Sequence, residues 1–316
     1  MRIGLLGAGF MGQTHLERYL KRKCDITVFD ADIERAKQLA LANGCRYSDS
    51  FDTMLAEVDA IDICLPTHLH KQYALRAMQA GKHVLCEKPM ALTTEECDEM
   101  IRSSESTGCV LMIAHVLRFW PEYTYIRNLI LSGELGNVLY VTGGRAQPMP
   151  AWSKDNWMIK PDTSNGGVVD FHIHDLDFCQ WLFGEPVSIT SHGCKSAYGG
   201  WETVATLMHH ANGAICSLTA CNMMPDNYPF TAHMSVVCSE GTIEYASGAS
   251  PTLRVFQNGT WHYPELPEDD GYQLEIDEFL RCIAAKANSK VVCPQDGKRA
   301  LKLALHCKNL LDQSEV

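Results

Sequence analysis

The chain has 316 residues, 46% hydrophobic and 21% charged, with 27 Lys and Arg against 38 Asp and Glu. This composition excludes collagen, coiled coil and disorder, and the length leaves room for two domains with substantial cores. A net charge of −11 argues against nucleic-acid binding, which needs a basic face to neutralise phosphates, and no apolar run reaches the roughly 18 residues that span a bilayer.

RIGLL, near the start of the chain, reads as a short buried strand, followed by the turn Gly7-Ala8-Gly9 and a helix over 11–21. Its glycines and the missing small-residue cleavage site distinguish this apolar start from a signal peptide. DITVFD (25–30) is a second strand ending at Asp30, and the next helix, with Ile33, Ala36 and Ala40 on one face, stops near Gly44. AIDICLP (60–66) is a third strand, the helix in THLHKQYALRAMQAGKH closes at Gly81, and HVLCE is a fourth strand. Thr94 with acidic residues at 95 and 96 opens a helix over 93–107, and CVLMIAH (109–115) is the next strand. Continuous apolar strands alternating with helices predict a parallel sheet covered on both faces and doubly wound by right-handed crossovers.

After about Leu117 the pattern changes. A helix over 122–132 is followed by VLYVTGGRA, VSITSHGCK, TVATLMHH, GAICSLTAC, TAHMSVVCS, GTIEYA and TLRVFQ. Alternating runs this close together predict an antiparallel sheet. Helices over 173–183, 272–288 and 296–313 complete an α+β second domain. The fourteen cysteines include no C-x-x-C pair, and several lie inside apolar strand-like runs. There a thiol is a small hydrophobe, so reduced cysteines and a cytoplasmic location are expected.

Gly7-Ala8-Gly9-Phe10-Met11-Gly12 is G-x-G-x-x-G between a predicted strand and a predicted helix. The first Gly permits the tight turn, the second lets backbone approach a pyrophosphate, and the third allows close helix packing. Asp30, at the end of the second strand, can accept hydrogen bonds from ribose hydroxyls and repel a 2′-phosphate. NAD is therefore expected over NADP, with Arg35 the residue that could change that preference. The fold expected is α/β: a Rossmann dinucleotide-binding domain over 1–117, then an α+β domain over 118–316 with a large, mainly antiparallel open sheet.

Glu87-Lys88-Pro89 follows a strand directly. Ligands gather at the carboxyl ends of strands in such sheets, so Lys88 is either a group projecting toward a nicotinamide or an ordinary surface lysine in a loop. The run Asn165-Gly166-Gly167-Val168-Val169-Asp170-Phe171-His172-Ile173-His174-Asp175-Leu176-Asp177 is the other dense cluster. A helix starting near Asp170 puts Asp170 and His174 on one face, where the aspartate can orient a histidine general base. His172-x-His174 with Asp170 or Asp177 has metal-ligand character, and a polar helix start is the third reading.

GLLGAGFMGQTH, LPTHLHKQYALRAMQAGKHVLCEKP, LRFWPEY…SGELGNV and NGGVVDFHIHDLD, in this order, resemble the glucose–fructose oxidoreductase/inositol dehydrogenase (Gfo/Idh/MocA) family over 1–183. DGKRALKLAL is similar to its closing helix. The I-H-D-x-D stretch looks nearest to the inositol dehydrogenase branch, although His172 and His115 stand where the family usually has a small residue and Asn. The resemblance implies Lys88 and His174 as catalytic residues with Asp170 assisting, and a cis Lys88–Pro89 peptide. It also implies a last helix (296–313) packed back on the first domain, and a C-terminal sheet that forms a homodimer or homotetramer.

The expected cofactor contacts are Gly7, Gly9, Phe10, Met11, Gly12, Asp30, Pro66, Thr67, His70, Glu87 and Lys88, with no metal. Expected substrate contacts are Lys88, Arg118, Trp152, Asp155, Asn156, Trp157, His172 and His174. The reaction expected is oxidation of a secondary alcohol on a sugar or cyclic polyol, with His174 as base and Lys88 stabilising the alkoxide. A dinucleotide-binding regulator on the same fold is the alternative.

Overall fold

Strands β1 (Arg2–Leu6), β2 (Asp25–Phe29), β3 (Arg46–Tyr47), β4 (Ala60–Ile63), β5 (His83–Glu87) and β6 (Leu111–Ala114) alternate with helices α1 (Phe10–Lys21), α2 (Ile33–Ala42), α3 (Phe51–Glu57), α4 (Thr67–Gln79) and α5 (Thr94–Thr107) in the computed structural model, which describes residues 1–150 and 153–314. The chain continues through α6 (Pro121–Ser132), β7 (Val138–Pro148), α7 (Pro161–Ser164), α8 (Gly167–Asp170), α9 (Ile173–Phe183), β8 (Pro186–Lys195), β9 (Trp201–His210), β10 (Ile215–Met224), β11 (Thr231–Cys238), β12 (Gly241–Ala246), β13 (Leu253–Gln257), β14 (Thr260–His262), α10 (Gly271–Ala285) and α11 (Pro294–Gln313). Two compact units result, Met1–Phe119 with Asp269–Lys298, and Trp120–Glu268 with Arg299–Val316.

In the first unit six parallel strands run in the order β3-β2-β1-β4-β5-β6. Leu5 pairs with Val28 on one side and Asp62 on the other. The order reverses between β1 and β4, which opens the crevice where α/β sheets take ligands. Sequence patterning showed neither β3, a two-residue exposed strand, nor α3, whose seven residues are too few to display a period. Ser50 starts α3 by accepting the Thr53 N–H on its hydroxyl.

The segment Asp269–Lys298 clusters with this unit rather than with the second domain. The reason is apolar: Ile276, Phe279, Cys282 and Ile283 of α10 share one core with Ile3, Leu5, Leu16, Tyr19 and Val28. At the rim, Arg18 pairs with Asp270 at 2.5 Å and Arg22 with Asp277 at 2.6 Å. The terminal helix behaves otherwise. From Arg299 onward α11 groups with the second unit, where Trp201 donates its indole N–H to Asp312 at 2.7 Å.

The second unit carries an eight-stranded sheet in the order β14-β13-β12-β11-β7-β10-β9-β8. β7 and β10 pair in parallel, and the other neighbouring pairs are antiparallel. Along β9, Val204, Thr206, Met208 and His210 are buried while Ala205, Leu207 and His209 face outward. Tyr140, Leu207, Val237 and Phe256 leave an apolar character on that outward face.

Candidate functional site

The glycine motif opens the crevice at the end of β1. Gly7 has φ +98°, and a Cβ there would lie 2.3 Å from the Cys64 carbonyl oxygen. A Cβ on Gly12 would lie 1.8 Å from the Gly7 carbonyl oxygen, so neither position accepts a side chain without moving backbone. Gly9 differs: its missing Cβ faces open space, and it starts α1 without a side-chain cap. The first-turn amides and the helix dipole thus have room for an anion. Phe10 is exposed and Met11 half-buried beside them.

Asp30 is buried directly after β2, where the sequence placed it. Its carboxylate accepts the main-chain N–H of Ala8 and of Asp32, each at 2.8 Å, and Arg35 Nη2 donates to both oxygens. The acid therefore shares its lone pairs with a guanidinium. At the end of β4, Pro66 leads into α4, and the buried Thr67 hydroxyl has no hydrogen-bond partner among the described residues.

Lys88 is half-buried at the end of β5, and the Lys88–Pro89 peptide is cis, as the resemblance implied. Its main-chain N–H donates to Glu87 Oε2 at 3.0 Å. His70 is not spread on a ligand surface: its buried ring has Nδ1 2.9 Å from the Pro89 carbonyl and Nε2 2.7 Å from the Leu65 carbonyl. It ties the loop after β5 to the loop after β4.

Beneath these loops lies a cluster of ionisable groups that sequence reading missed. His15 Nδ1 is 2.8 Å from Asp62 Oδ2, and Nε2 is 3.4 Å from Glu87 Oε1. Burial works against charging His15, but the Cys64 sulfur and the Asp62 carboxylate outweigh it and raise its pKa well above the ordinary value. Burial also pushes the Cys64 thiol up, so Asp62 is the effective partner. Glu87 is held below the usual carboxylate range despite burial, by His15 and then Lys88. Glu275 of α10 goes the other way, raised well above its ordinary value by burial. The visible signal was His15, three residues beyond Gly12; nothing local marks Glu275.

In the second unit the Asn165–Asp177 run folds as two helices rather than one starting at Asp170. Asp170 ends α8 and His174 lies in the first turn of α9, with Phe171 and His172 between them. Gly167 is required by close approach, since a Cβ there would lie 2.5 Å from Glu202 Oε2 and 2.7 Å from Asn222 Nδ2. Asn222 donates to Glu202 at 2.9 Å, and Gln147 donates to Asn222 at 3.0 Å. Glu202 is buried, and burial raises its pKa. This polar row under the glycine turn was also not legible in sequence. Asp170 is buried and His174 half-buried.

Several expected substrate contacts stand elsewhere. His172 is fully buried, with Nε2 3.0 Å from the Thr206 hydroxyl, and burial lowers its pKa to about 4. It is a neutral core histidine, not a surface open to substrate. Arg118 is buried in the first unit, donating to the Val291 carbonyl at 2.9 Å and lying 3.2 Å from Asp296. Asn156 is exposed with φ +56° and Trp157 is half-buried, both in the 3-10 turn Lys154–Ile159. Trp152 and the side chain of Asp155 lie outside the described residues.

Comparison with known proteins decides the lineage. The family model described as "Oxidoreductase family, NAD-binding Rossmann fold" (GFO_IDH_MocA) matches residues 1–115, and the GFO/IDH/MocA C-terminal domain matches residues 123–244. The UDP-N-acetylglucosamine 3-dehydrogenase of Acidithiobacillus ferrooxidans is 32% identical over 98% of this chain and 96% of its own. The chain belongs to the GFO/IDH/MocA oxidoreductase family.

The solved structure of that GFO/IDH/MocA relative has a TM-score of 0.85 at 30% identity, covering 99% of this chain and 98% of its own. The inositol 2-dehydrogenase of Rhizobium meliloti is 28% identical over 96% of this chain and 94% of its own. A levoglucosan dehydrogenase solved with NADH and levoglucosan shares the fold, with a TM-score of 0.86 at 22% identity over 99% and 97%. As a GFO/IDH/MocA oxidoreductase the chain carries an NAD-binding Rossmann domain. The open space at Gly9, the uncapped start of α1 and the Thr67 hydroxyl, without a partner among the described residues, fit that cofactor.

Among the described residues, His15, Asp62 and Cys64 are a group with metal-ligand chemistry. Their separations of 2.8 to 3.5 Å are hydrogen bonds among themselves. Among the described residues no helix is long and apolar enough to cross a membrane.

Proposed function

We propose that this protein is an NAD-dependent dehydrogenase oxidising a secondary alcohol of a sugar, with His174 as base, Asp170 assisting and Lys88 stabilising the alkoxide. The observation that carries the reading is the position of Lys88 at the carboxyl end of β5 in an NAD-binding sheet, on a turn hydrogen-bonded by Glu87 and His70. Bound NAD supplies the hydride acceptor. His174 takes the hydroxyl proton, and the Lys88 ammonium donates a hydrogen bond to the oxygen as charge develops. With NAD bound as acceptor of the carbinol hydride, the overall products are a ketone, NADH and one proton.

The near full-length likeness to a UDP-N-acetylglucosamine 3-dehydrogenase favours a nucleotide-linked hexopyranose over a free cyclic polyol, so UDP-N-acetylglucosamine is the first compound to test and myo-inositol the second. NADH formation at 340 nm reads the reaction; Lys88→Ala and His174→Ala each lower turnover about a hundredfold. Wild-type rates in both variants refute the assignment, and silence in the wild type with NADH bound favours a regulator.

The outward apolar face of the eight-stranded sheet supports a homodimer or homotetramer, which light scattering on the eluted protein measures. Among the described residues no cysteine is joined in a disulfide, which supports a reducing, cytoplasmic compartment.

A further inference from the structure

We propose that His15 is a positioning residue for Lys88: as an imidazolium between two carboxylates it holds Glu87, and Glu87 holds the turn that carries Lys88. The proposal rests on the reading of Lys88 as the group that stabilises the alkoxide. His15 is fully buried in α1. One ring nitrogen meets Asp62 of β4 at 2.8 Å and the other meets Glu87 of β5 at 3.4 Å. A neutral imidazole has one N–H and one lone pair, and a lone pair turned toward a carboxylate oxygen is repelled. With an acid on each side, the doubly protonated ring is the form both sides favour: it donates a hydrogen bond to Asp62 and, at a distance too long for a hydrogen bond, forms an ion pair with Glu87.

The second carboxylate oxygen of Glu87 accepts the Lys88 main-chain N–H at 3.0 Å. Glu87 therefore cannot swing without disturbing the base of the Lys88 side chain. Asp62, His15 and Glu87 form a buried acid–imidazole–acid row, and the half-buried Lys88 follows Glu87, whose carboxylate both cations favour. Burial opposes ionisation of the other titratable groups packed about this cluster. Burial raises the Cys64 thiol, 3.5 Å from Nδ1, the Tyr19 phenol beside Asp62, and the Glu275 carboxyl. Tyr272 of α10 completes the surround, its ring centroid 6.2 Å from that of His15.

The charge of His15 is read directly by nitrogen-15 NMR of histidine-labelled wild type with NADH bound; both ring nitrogens should be protonated at neutral pH. A double-mutant cycle then tests the link to Lys88. His15→Gln and Glu87→Gln should each lower kcat roughly ten- to a hundredfold, with the Kd for NADH and the KM for sugar within about threefold of wild type. The double variant should be no slower than the worse single one, because either change breaks the same chain. A neutral His15 ring, multiplying losses in the double variant, or losses confined to NADH affinity overturn the proposal. A wild type that reduces NAD⁺ with no sugar counts instead against the dehydrogenase reading, and the NMR result still decides the charged row.

Discussion

Arg35 Nη2 lies 2.8 and 2.6 Å from the two carboxylate oxygens of Asp30. The contact joins a group that repels a 2′-phosphate to one that attracts it, so the cofactor preference depends on their balance. With Asp30 intact, NAD⁺ should be preferred over NADP⁺. Asp30→Ser should lower kcat/KM for NAD⁺ about tenfold and raise the relative use of NADP⁺, since the released guanidinium is free to pair with phosphate. Steady-state kinetics with both cofactors check this, and an unchanged preference refutes it.

Gly9 and Gly12 should separate cofactor binding from folding. The Cβ of Gly12→Ala would meet backbone at 1.8 Å, so this variant should lose NADH binding and several degrees of Tm. The Cβ of Gly9→Ala meets nothing within 4 Å and should leave Tm close to wild type. It enters the space a pyrophosphate needs, so NADH affinity should fall about tenfold or more. Fluorescence titration beside thermal melts distinguishes the two outcomes.

His172 should make the protein acid-labile. Its folded pKa of about 4 lies below the ordinary histidine value of 6.5, so the unfolded chain binds more protons between those values. Stability is fully present above pH 6.5 and is lost as pH falls toward 4, by about 3 kcal/mol from this residue. His172→Gln, which cannot titrate, should flatten that part of the stability profile in urea melts at a series of pH values.

Glu275 carries the opposite sign. Its folded pKa is raised above the ordinary carboxylate value by burial, so the native state holds a proton that the unfolded chain releases. Its contribution is fully present below that ordinary value and is lost as pH rises. Both carboxyl oxygens are buried without hydrogen-bond partners among the described residues, and replacing such an acid by a neutral group is expected to be harmless or stabilising. Glu275→Gln should therefore melt higher than wild type by a margin that grows from about pH 5 to pH 8. A margin that shrinks over this range refutes the sign.

The Rossmann half and the cofactor were legible because their signals are local. Apolar strands, Gly7, Gly9, Gly12 and the strand-end positions of Asp30 and Lys88 each depend on a few neighbouring residues. Sequence also determined that β7 to β13 would form a mainly antiparallel sheet, since period-two alternation is a property of single strands. Tertiary structure decided what depends on distant partners. It placed α10 in the first core by the apolar stripe of Ile276 and Phe279, and directed His172 inward to Thr206 and Arg118 to Asp296. It also brought His15, Asp62, Glu87 and Glu275, from α1, β4, β5 and α10, into one buried group. A residue type announces that it can carry charge or donate a hydrogen bond. Whether it meets solvent, ligand or core depends on which remote segment packs beside it, and that is set only when the chain closes on itself.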